Sequence, residues 1–284
     1  MKINPDSLID DIIDLAIRED VGDGDHTSLA CIPRGATGKM QLLVKQAGVI
    51  AGVDVARRIF QQLDSSVAME QLIPDGAQVK SGDVVFYVTG KIISLLQAER
   101  LALNFMQRLS GVATQAALYA AELRGLKAKV IDTRKTTPGM RVLEKRAVAL
   151  GGGGNHRMGL HDMILVKDNH VDFSGGVEQA IKNVHAYLQK TGLDLPVEVE
   201  VRSLADLKKV LALGGVNRIM LDNFSLQDTK AAVELIAGRY EVESSGGITL
   251  ATLRQYAACG VDYISVGALT HQIKSLDLSL KAVE

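Results

Sequence analysis

The sequence predicts a two-part α/β protein, an N-terminal α/β sandwich followed by an incomplete (β/α) barrel of parallel strands. Two observations carry that expectation. In the second half, short apolar or alternating runs recur, each tied to a segment of helical periodicity: "AKVIDTRKT", "DMILVKDNH", "PVEVEV", "NRIMLDN", "YEVESSGG" and "DYISVGA", with helical patterns such as "SLADLKKVLAL" and "SLQDTKAAVELIAG" between them. Strand and helix in alternation make parallel strands joined by right-handed crossovers, in an open sheet or in a barrel. The strand ends choose between these. All six runs finish in polar or glycine groups: Arg134 and Lys135, Lys167 and Asn169, Glu200, Asp222, Ser245 with Gly246 and Gly247, and Gly267. An open sheet gathers such groups at one switch point, whereas a barrel sets them at the end of every strand.

The first part reads as mixed. "MKINPDSLIDDIIDLAIRED" has the pattern of an acidic amphipathic helix. "VGDGDHTS" is a turn-rich loop in which Asp23 and Asp25 beside His26 suit a capped turn better than a metal loop. "GKMQLLVKQAGVIAG" and "DVVFYVTG" read as strands, separated by the helical "DVARRIFQQL" and the turn "PDGAQVKSGD". That turn and the strand after it have the glycine and valine rhythm of a biotinyl or lipoyl carrier, without the lysine such a carrier modifies. Next, "SLLQAERLALNFMQRLSGVATQAALYAAELRG" predicts two helices hinged at Ser110 and Gly111. The expected boundaries are 1–112 for the sandwich, 113–269 for the barrel, and 270–284 for a C-terminal helix packing back on the first domain.

Composition narrows the function classes. The chain has 284 residues, 47% of them hydrophobic, which suits a protein with a sizeable core. Lys and Arg number 32 against 33 Asp and Glu, so no global field favours nucleic acid or an anionic membrane, and any anion site must be local. Cys31 and Cys259 form no CxxC pattern and suggest neither a disulfide framework nor a zinc site. No apolar run approaches the roughly 18 residues of a membrane span, and the N-terminus lacks a signal-peptide pattern. The expectation is a soluble cytoplasmic protein.

The strand ends suggest the chemistry. "SSGGIT" and "SVGALT" place small residues directly after a strand and ahead of a helical segment, leaving backbone N–H groups to face a phosphate. Arg134, Lys135, Arg157 and Lys167, with Arg141 near in sequence, would repel one another around a single mouth, so they imply a ligand of several negative charges. Glu200 and Asp222, at adjacent strand ends, are candidates to hold sugar hydroxyls and a divalent ion that also bridges phosphate oxygens. Glu198 lies deeper on the same face of its strand as Glu200 and could support it. His156, His161 and His170 match no standard zinc spacing; His156 reads as a substrate-side donor and the other two as structural. The run "GGGGNHR" lets backbone pass close to a crowded mouth while delivering His156 and Arg157.

"DTRKTTPGMR", "GGGGNHRMGLHDMILVKDNH", "EVEV", "MLDN", "SSGGI" and "SVGALT", in this order, closely resemble the quinolinate phosphoribosyltransferases, the nicotinate-nucleotide pyrophosphorylases of NAD synthesis. "IREDVGDGDHTS" and "ERLALNFMQRLSGVAT" extend the likeness over nearly the whole chain. The resemblance implies the sandwich and incomplete barrel, and assembly as a homodimer or as a hexamer made of three dimers. It also implies the substrates quinolinate and phosphoribosyl pyrophosphate, with Mg2+. Carried over by position, Arg134, His156, Arg157 and Lys167 would surround the quinolinate carboxylates. Lys135, Glu200 and Asp222 would face the ribose and pyrophosphate, with Mg2+ near the two acids, held directly or only through substrate and water. Thr133 would join the substrate contacts. Ser245, Gly246, Gly247 and the segment Val266, Gly267, Ala268 would seat the 5-phosphate, while Arg100 would enter the site of the partner subunit. Lys135, Lys167, Glu200 and Asp222 would be the catalytic set.

Two other classes compete on the residues alone. A Schiff-base aldolase would use Lys135 or Lys167 as the nucleophile but leaves the arginines unexplained. A sugar-phosphate sensor would bind without turnover, and the sequence carries no DNA-binding or signalling module to report the binding.

Overall fold

A computed structural model describes residues 4–283. In chain order it contains α1 (Pro5–Val21), α2 (His26–Cys31), β1 (Thr37–Val44), β2 (Gly48–Val49), α3 (Val53–Leu63), β3 (Ala68–Gln71), β4 (Gln78–Val79), β5 (Val84–Lys91) and the long α4 (Ile92–Glu122). Then follow β6 (Lys129–Ile131), α5 (Arg141–Leu150), β7 (Ile164–Val166), α6 (Asp168–Ser174), α7 (Val177–Thr191), β8 (Val197–Val201) and α8 (Leu204–Leu213). The last are β9 (Arg218–Asp222), α9 (Leu226–Ile236), β10 (Glu241–Ser245), α10 (Leu250–Ala258), β11 (Tyr263–Ser265), α11 (Ala268–His271) and β12 (Leu278–Val283). Among the described residues, no helix is long and apolar enough to cross a membrane.

The chain forms two units. One takes residues up to Ala117, Thr136–Gly152 and Leu269 onward; the other takes Leu118–Lys135 and Gly153–Ala268. The segment Thr136–Gly152, expected within the barrel, thus belongs with the first unit. Arg108 of α4 explains it: its guanidinium donates to Glu144 Oε1 at 2.8 and 2.9 Å, to Thr137 Oγ1 at 2.8 Å and to the Thr270 carbonyl at 3.2 Å. Glu144 is wholly buried and its other oxygen accepts the Thr137 N–H at 3.1 Å. A buried carboxylate without that arginine would be strongly destabilising, so the pairing fixes where α5 lies.

The first unit is built on an antiparallel sheet of order β12-β1-β5-β3. Its strands alternate in burial, with Met40, Leu42 and Val44 inward on β1, and the apolar stripe Val55, Ala56, Ile59 and Phe60 of α3 is buried in the same unit. Phe60 meets Phe86 edge to face at 6.4 Å. The expected N-terminal helix is capped at Asn4, whose side chain accepts the Asp6 N–H at 3.1 Å, a cap the sequence reading did not place. Asp25 likewise accepts the Ser28 N–H at 3.0 Å, so "GDGDHTS" is the capped start of α2.

Two expectations for this unit fail, each for a physical reason. Residues 278–283 form a strand and not a helix, because "LSLKAV" alternates with Leu278 and Leu280 buried and pairs with β1 from Lys39↔Val283 to Val44↔Leu278. The hinge at Ser110 and Gly111 does not exist; α4 runs through it. The Ser110 hydroxyl accepts the Ala51 N–H at 2.9 Å and donates to the Ala51 carbonyl at 3.2 Å, and Gly111 lies against the backbone of Lys274. Small residues here admit neighbouring backbone to an unbroken helix.

The second unit holds all six expected strands in one parallel sheet of order β6-β11-β10-β9-β8-β7. The first strand of this set pairs with the last, so the sheet curls round as an incomplete barrel whose remaining seam lies between β6 and β7. "VEVEV" shows why the strands are buried on both faces: Val197, Val199 and Val201 are buried on one side and Glu198 is wholly buried on the other.

Candidate functional site

The site forms at the C-terminal ends of the six parallel strands. After β6 comes Asp132, fully buried, whose carboxylate accepts the His156 N–H at 2.9 Å and the Asn155 side-chain amide at 2.7 Å. Gly154 donates its N–H to the Val130 carbonyl at 2.8 Å and accepts from Asp132 N–H at 3.1 Å, a single parallel bridge beside β6. Together these contacts carry "NHR" to the seam of the barrel. Beyond it, Asp162 accepts the Met158 and Gly159 N–H groups at 2.6 and 2.9 Å, and these bonds hold its carboxyl below the ordinary value against the opposing effect of burial.

The expected cations lie on the loops after β6 and around β7. Arg134 and Lys135 are exposed on the loop after β6, where the Thr133 hydroxyl accepts the Lys135 N–H at 3.0 Å. Arg157 is 8% exposed and donates to the Met163 carbonyl at 3.3 Å. Its pKa is depressed first by burial and next by the charge of Arg134, with the charges of Glu198 and Asp162 opposing. Lys167 directly follows β7 and is exposed. Its backbone N–H is accepted by His170 Nδ1 at 2.9 Å, which gives His170 the structural role expected of it. Arg141 belongs to the first unit, donating to Thr136 Oγ1 at 3.1 Å.

The acids stand beside them. Glu200 is half-buried near the end of β8; its pKa is raised by burial and then by the nearby Asp222, while the Asp168 N–H at 3.4 Å and Lys167 oppose the rise. Asp222 ends β9 and its Oδ2 accepts the side-chain amide of Asn223 at 2.8 Å. Two carboxylates that repel one another in a partly buried position, at the ends of hydrogen-bonded neighbouring strands, suit a hard divalent cation with oxygen ligands.

Asn223 was not anticipated. It sits at φ 56°, a conformation asparagine tolerates, and donates its backbone N–H to the Ser245 carbonyl at 2.9 Å. This ties the end of β9 to the end of β10, where Gly246 adopts φ +93°. A Cβ on Gly246 would lie 2.6 Å from Asn223 Cγ and closer still to its Oδ1, so only glycine lets the loop pass Asn223. The second glycine-rich loop differs from expectation in one respect. The Val266 N–H is donated to the Ile131 carbonyl at 2.9 Å to complete the sheet, so this N–H is already engaged.

Below the mouth lies a buried polar layer. His156 Nε2 is 3.0 Å from Glu198 Oε2 and 3.5 Å from Glu243 Oε2, and His156 Nδ1 accepts the Arg157 N–H at 2.6 Å. Burial pushes both carboxyl groups above the ordinary range, with repulsion by Glu198 adding to the effect on Glu243. Glu198 therefore lies beside His156, although neither His156 Nε2 nor the Glu198 oxygens make a hydrogen bond there. The three side chains could together ligate a metal ion. Arg218, 3.2 Å from Glu243 Oε2, already brings a positive charge to them. Asp132, Arg218 and Glu243 escaped sequence reasoning because their roles depend on partners from other strands; the only local signal was a charged residue at a position that should face the interior.

The C-terminal ends of the strands thus carry Arg134 near Arg157, Glu200 near Asp222 and Lys167, and a glycine loop after β10, groups suited to binding anions. Known proteins share the sequence and the fold of this chain. The family model described as "Quinolinate phosphoribosyl transferase, C-terminal domain" matches residues 112–281, and that for the N-terminal domain matches residues 25–110. Among curated relatives, a quinolinate phosphoribosyltransferase [decarboxylating] 1b of Nicotiana tabacum is 44% identical over 285 residues, covering 95% of this chain and 81% of its own. A nicotinate-nucleotide pyrophosphorylase [carboxylating] of Mycobacterium leprae is 42% identical, covering 95% of each chain. The crystal structure of NadC from Streptococcus pyogenes superposes with a TM-score of 0.92 at 42% identity, covering 100% of both chains.

Proposed function

The chain belongs to the quinolinate phosphoribosyltransferase family, and we infer from that premise that it transfers the phosphoribosyl group of phosphoribosyl pyrophosphate to quinolinate. The products are nicotinate mononucleotide, pyrophosphate and carbon dioxide, in the synthesis of NAD. The observation that carries the reading to the residues is the placing of Arg134 after β6 and of Lys167 after β7, with the buried Arg157 close enough to Arg134 for their charges to interact. Two guanidinium groups that repel each other are relieved by a ligand with two adjacent carboxylates, each able to take a two-point contact. Quinolinate is such a ligand. Arg134, Arg157 and Lys167 take its carboxylates; Thr133 stiffens the loop that presents Arg134 and Lys135.

Lys135, Glu200 and Asp222 face the ribose and the pyrophosphate, and Ser245, Gly246 and Gly247, with Gly267 and Ala268, seat the 5-phosphate. As the bond to pyrophosphate breaks, positive character grows at the anomeric carbon of the ribose, and the carboxylates of Glu200 and Asp222 stabilise it. The ring nitrogen of quinolinate attacks that carbon and becomes a pyridinium. The pyridinium accepts the electron pair left when the adjacent carboxylate departs as carbon dioxide, and a proton then replaces it on carbon. Arg134 and Arg157 hold the ring in line for the attack throughout. Glu200 and Asp222 would hold Mg2+, directly or through water and substrate, and the ion would supply charge neutralisation for the departing pyrophosphate.

The test is direct. Purified protein with quinolinate, phosphoribosyl pyrophosphate and Mg2+ is expected to form nicotinate mononucleotide, and a chelator is expected to abolish it. Failure to form the product over a range of pH and divalent ions would remove this reading.

Arg100, exposed on α4, completes the site of a second copy of the chain. A homodimer, alone or as the unit of a hexamer, would place it there. When Arg100→Ala and Arg134→Ala proteins are unfolded and refolded together, random pairing restores one intact site in half of the dimers, so about a quarter of the native activity is expected to return. Mixtures no more active than the separate variants would refute a shared site.

A further inference from the structure

Between β9 and α9 the chain runs through Asn223, Phe224 and Ser225, and two of these residues are committed to the fold. Ser225 caps α9, its hydroxyl accepting the Asp228 N–H at 3.1 Å. Phe224 is buried, and its carbonyl accepts the Tyr256 hydroxyl at 3.0 Å. Asn223 is exposed and follows Asp222 directly. Its N–H is bound to the Ser245 carbonyl at 2.9 Å, and its φ of 56° is a left-handed conformation that glycine adopts without steric cost and most other residues avoid. Ala237, the other residue of this kind among those described, ends α9.

The amide of Asn223 is engaged at both ends. Its nitrogen donates to Asp222 Oδ2 at 2.8 Å, and among the described residues it is the one hydrogen-bond donor to that carboxylate. Its oxygen and Cγ lie against Gly246, where a Cβ would stand 2.6 Å from Cγ. Asp222 in turn is near enough to Glu200 for their charges to repel, and Gly246 opens the glycine loop after β10. One planar group therefore joins the acid pair to the glycine loop, two places that meet different parts of the same substrate. We propose that Asn223 is a positioning residue for phosphoribosyl pyrophosphate: its amide aims the Asp222 carboxylate and holds it in register with the phosphate seat at Gly246 and Gly247.

A turn alone does not account for this residue. Glycine would make the same turn with less strain, so what asparagine adds is its amide. The backbone beneath the amide is held on both sides, by Ser245 and by Tyr256, which gives the donor a fixed origin. A carboxylate at a strand end otherwise turns about two single bonds, and a donor on rigid backbone removes that freedom before the substrate arrives. The pairing of Asp222 with Ser245 already sets the register of β9 and β10. The amide extends that register from the backbone to the groups that meet the ribose and the 5-phosphate.

The inference rests on Asp222 and the glycine loop facing the sugar donor, and the experiment separates its failure from the failure of that reading. Asn223→Gly keeps the left-handed turn and removes the amide. Its melting temperature is expected to stay within about 3 °C of native. Its KM for phosphoribosyl pyrophosphate is expected to rise about tenfold, while the KM for quinolinate stays within about threefold. Asn223→Ala, which also strains the turn, should show the same kinetic loss together with a lower melting temperature. A native KM for phosphoribosyl pyrophosphate in Asn223→Gly, or an equal rise for both substrates, contradicts the role. A melting temperature far below native in that variant would make the amide a structural tie and likewise contradict it. The second readout needs no substrate. A crystal structure of free Asn223→Gly is expected to show Asp222 in more than one side-chain orientation where the native enzyme shows one, and an unchanged Asp222 overturns the proposal. Should the native protein bind no phosphoribosyl pyrophosphate, the reading beneath falls, and the crystal structure alone decides whether Asn223 aims Asp222.

Discussion

Arg134→Ala is expected to weaken quinolinate binding by about 10- to 100-fold, the loss that goes with removing hydrogen bonds to a charged group worth roughly 1.5–3 kcal/mol. Affinity for phosphoribosyl pyrophosphate should stay within about threefold, because the groups placed on the sugar side, Lys135, Glu200 and Asp222, are untouched. Titration calorimetry with each substrate separately reads both numbers. The asymmetry is the informative part. Equal losses for the two substrates would mean that Arg134 contributes a general positive field to the mouth and not a contact with the pyridine carboxylates. The variant should also fold normally, since Arg134 is exposed on its loop.

The largest effect on stability is expected at Gly151. This residue ends α5 with its N–H bonded to the Ala147 carbonyl at 3.0 Å, and its backbone φ of -77° is open to any residue. What forbids a side chain is α4. A Cβ at Gly151 would stand 2.7 Å from Ala116 Cβ and 3.0 Å from the Ala113 carbonyl carbon, and nearer still to the Ala113 oxygen. Backbone of a packed helix cannot yield as a flexible side chain can, so Gly151→Ala should cost about 3 kcal/mol or more. Thermal unfolding should then begin of order 10 °C lower, or the protein should fail to accumulate in soluble form. A native melting temperature would show that α4 and α5 can separate more readily than their packing suggests.

Gly151 also shows where the sequence was legible and where it was not. The glycine run was correctly read as backbone passing close to something crowded, but the crowd for its first member is α4 and not the mouth of the barrel. The barrel strands were legible because each carries β-branched or apolar residues ending abruptly in polar ones, a local pattern that survives without knowledge of the partner strands. β12 was not. Its alternation is only a few residues long, and its partner is β1, where Gln41 faces Lys281. Ser110 and Gly111 have the local chemistry of a helix break and are overruled by Ala51 and Lys274, which approach from distant parts of the chain. In the site, Arg134, Lys167, Glu200 and Asp222 were singled out from their places at strand ends, and the buried Arg157 from the glycine run before it. Asp132, Asn223 and Glu243 were not, since a buried acid or amide declares its purpose only through what it touches.

The pairing of β12 with β1 has a consequence for how the molecule is made. β1 is synthesised early, but one of its two edges stays open until Leu278–Val283 has emerged, whereas every strand of the parallel sheet is available once Ser265 has been added. During synthesis the catalytic unit can therefore close first, while the N-terminal sheet waits with an unpaired edge exposed to other chains. The last dozen residues act as the clasp that ends this interval. Truncations there should be felt as aggregation of newly made protein before they are felt as loss of chemistry at the site.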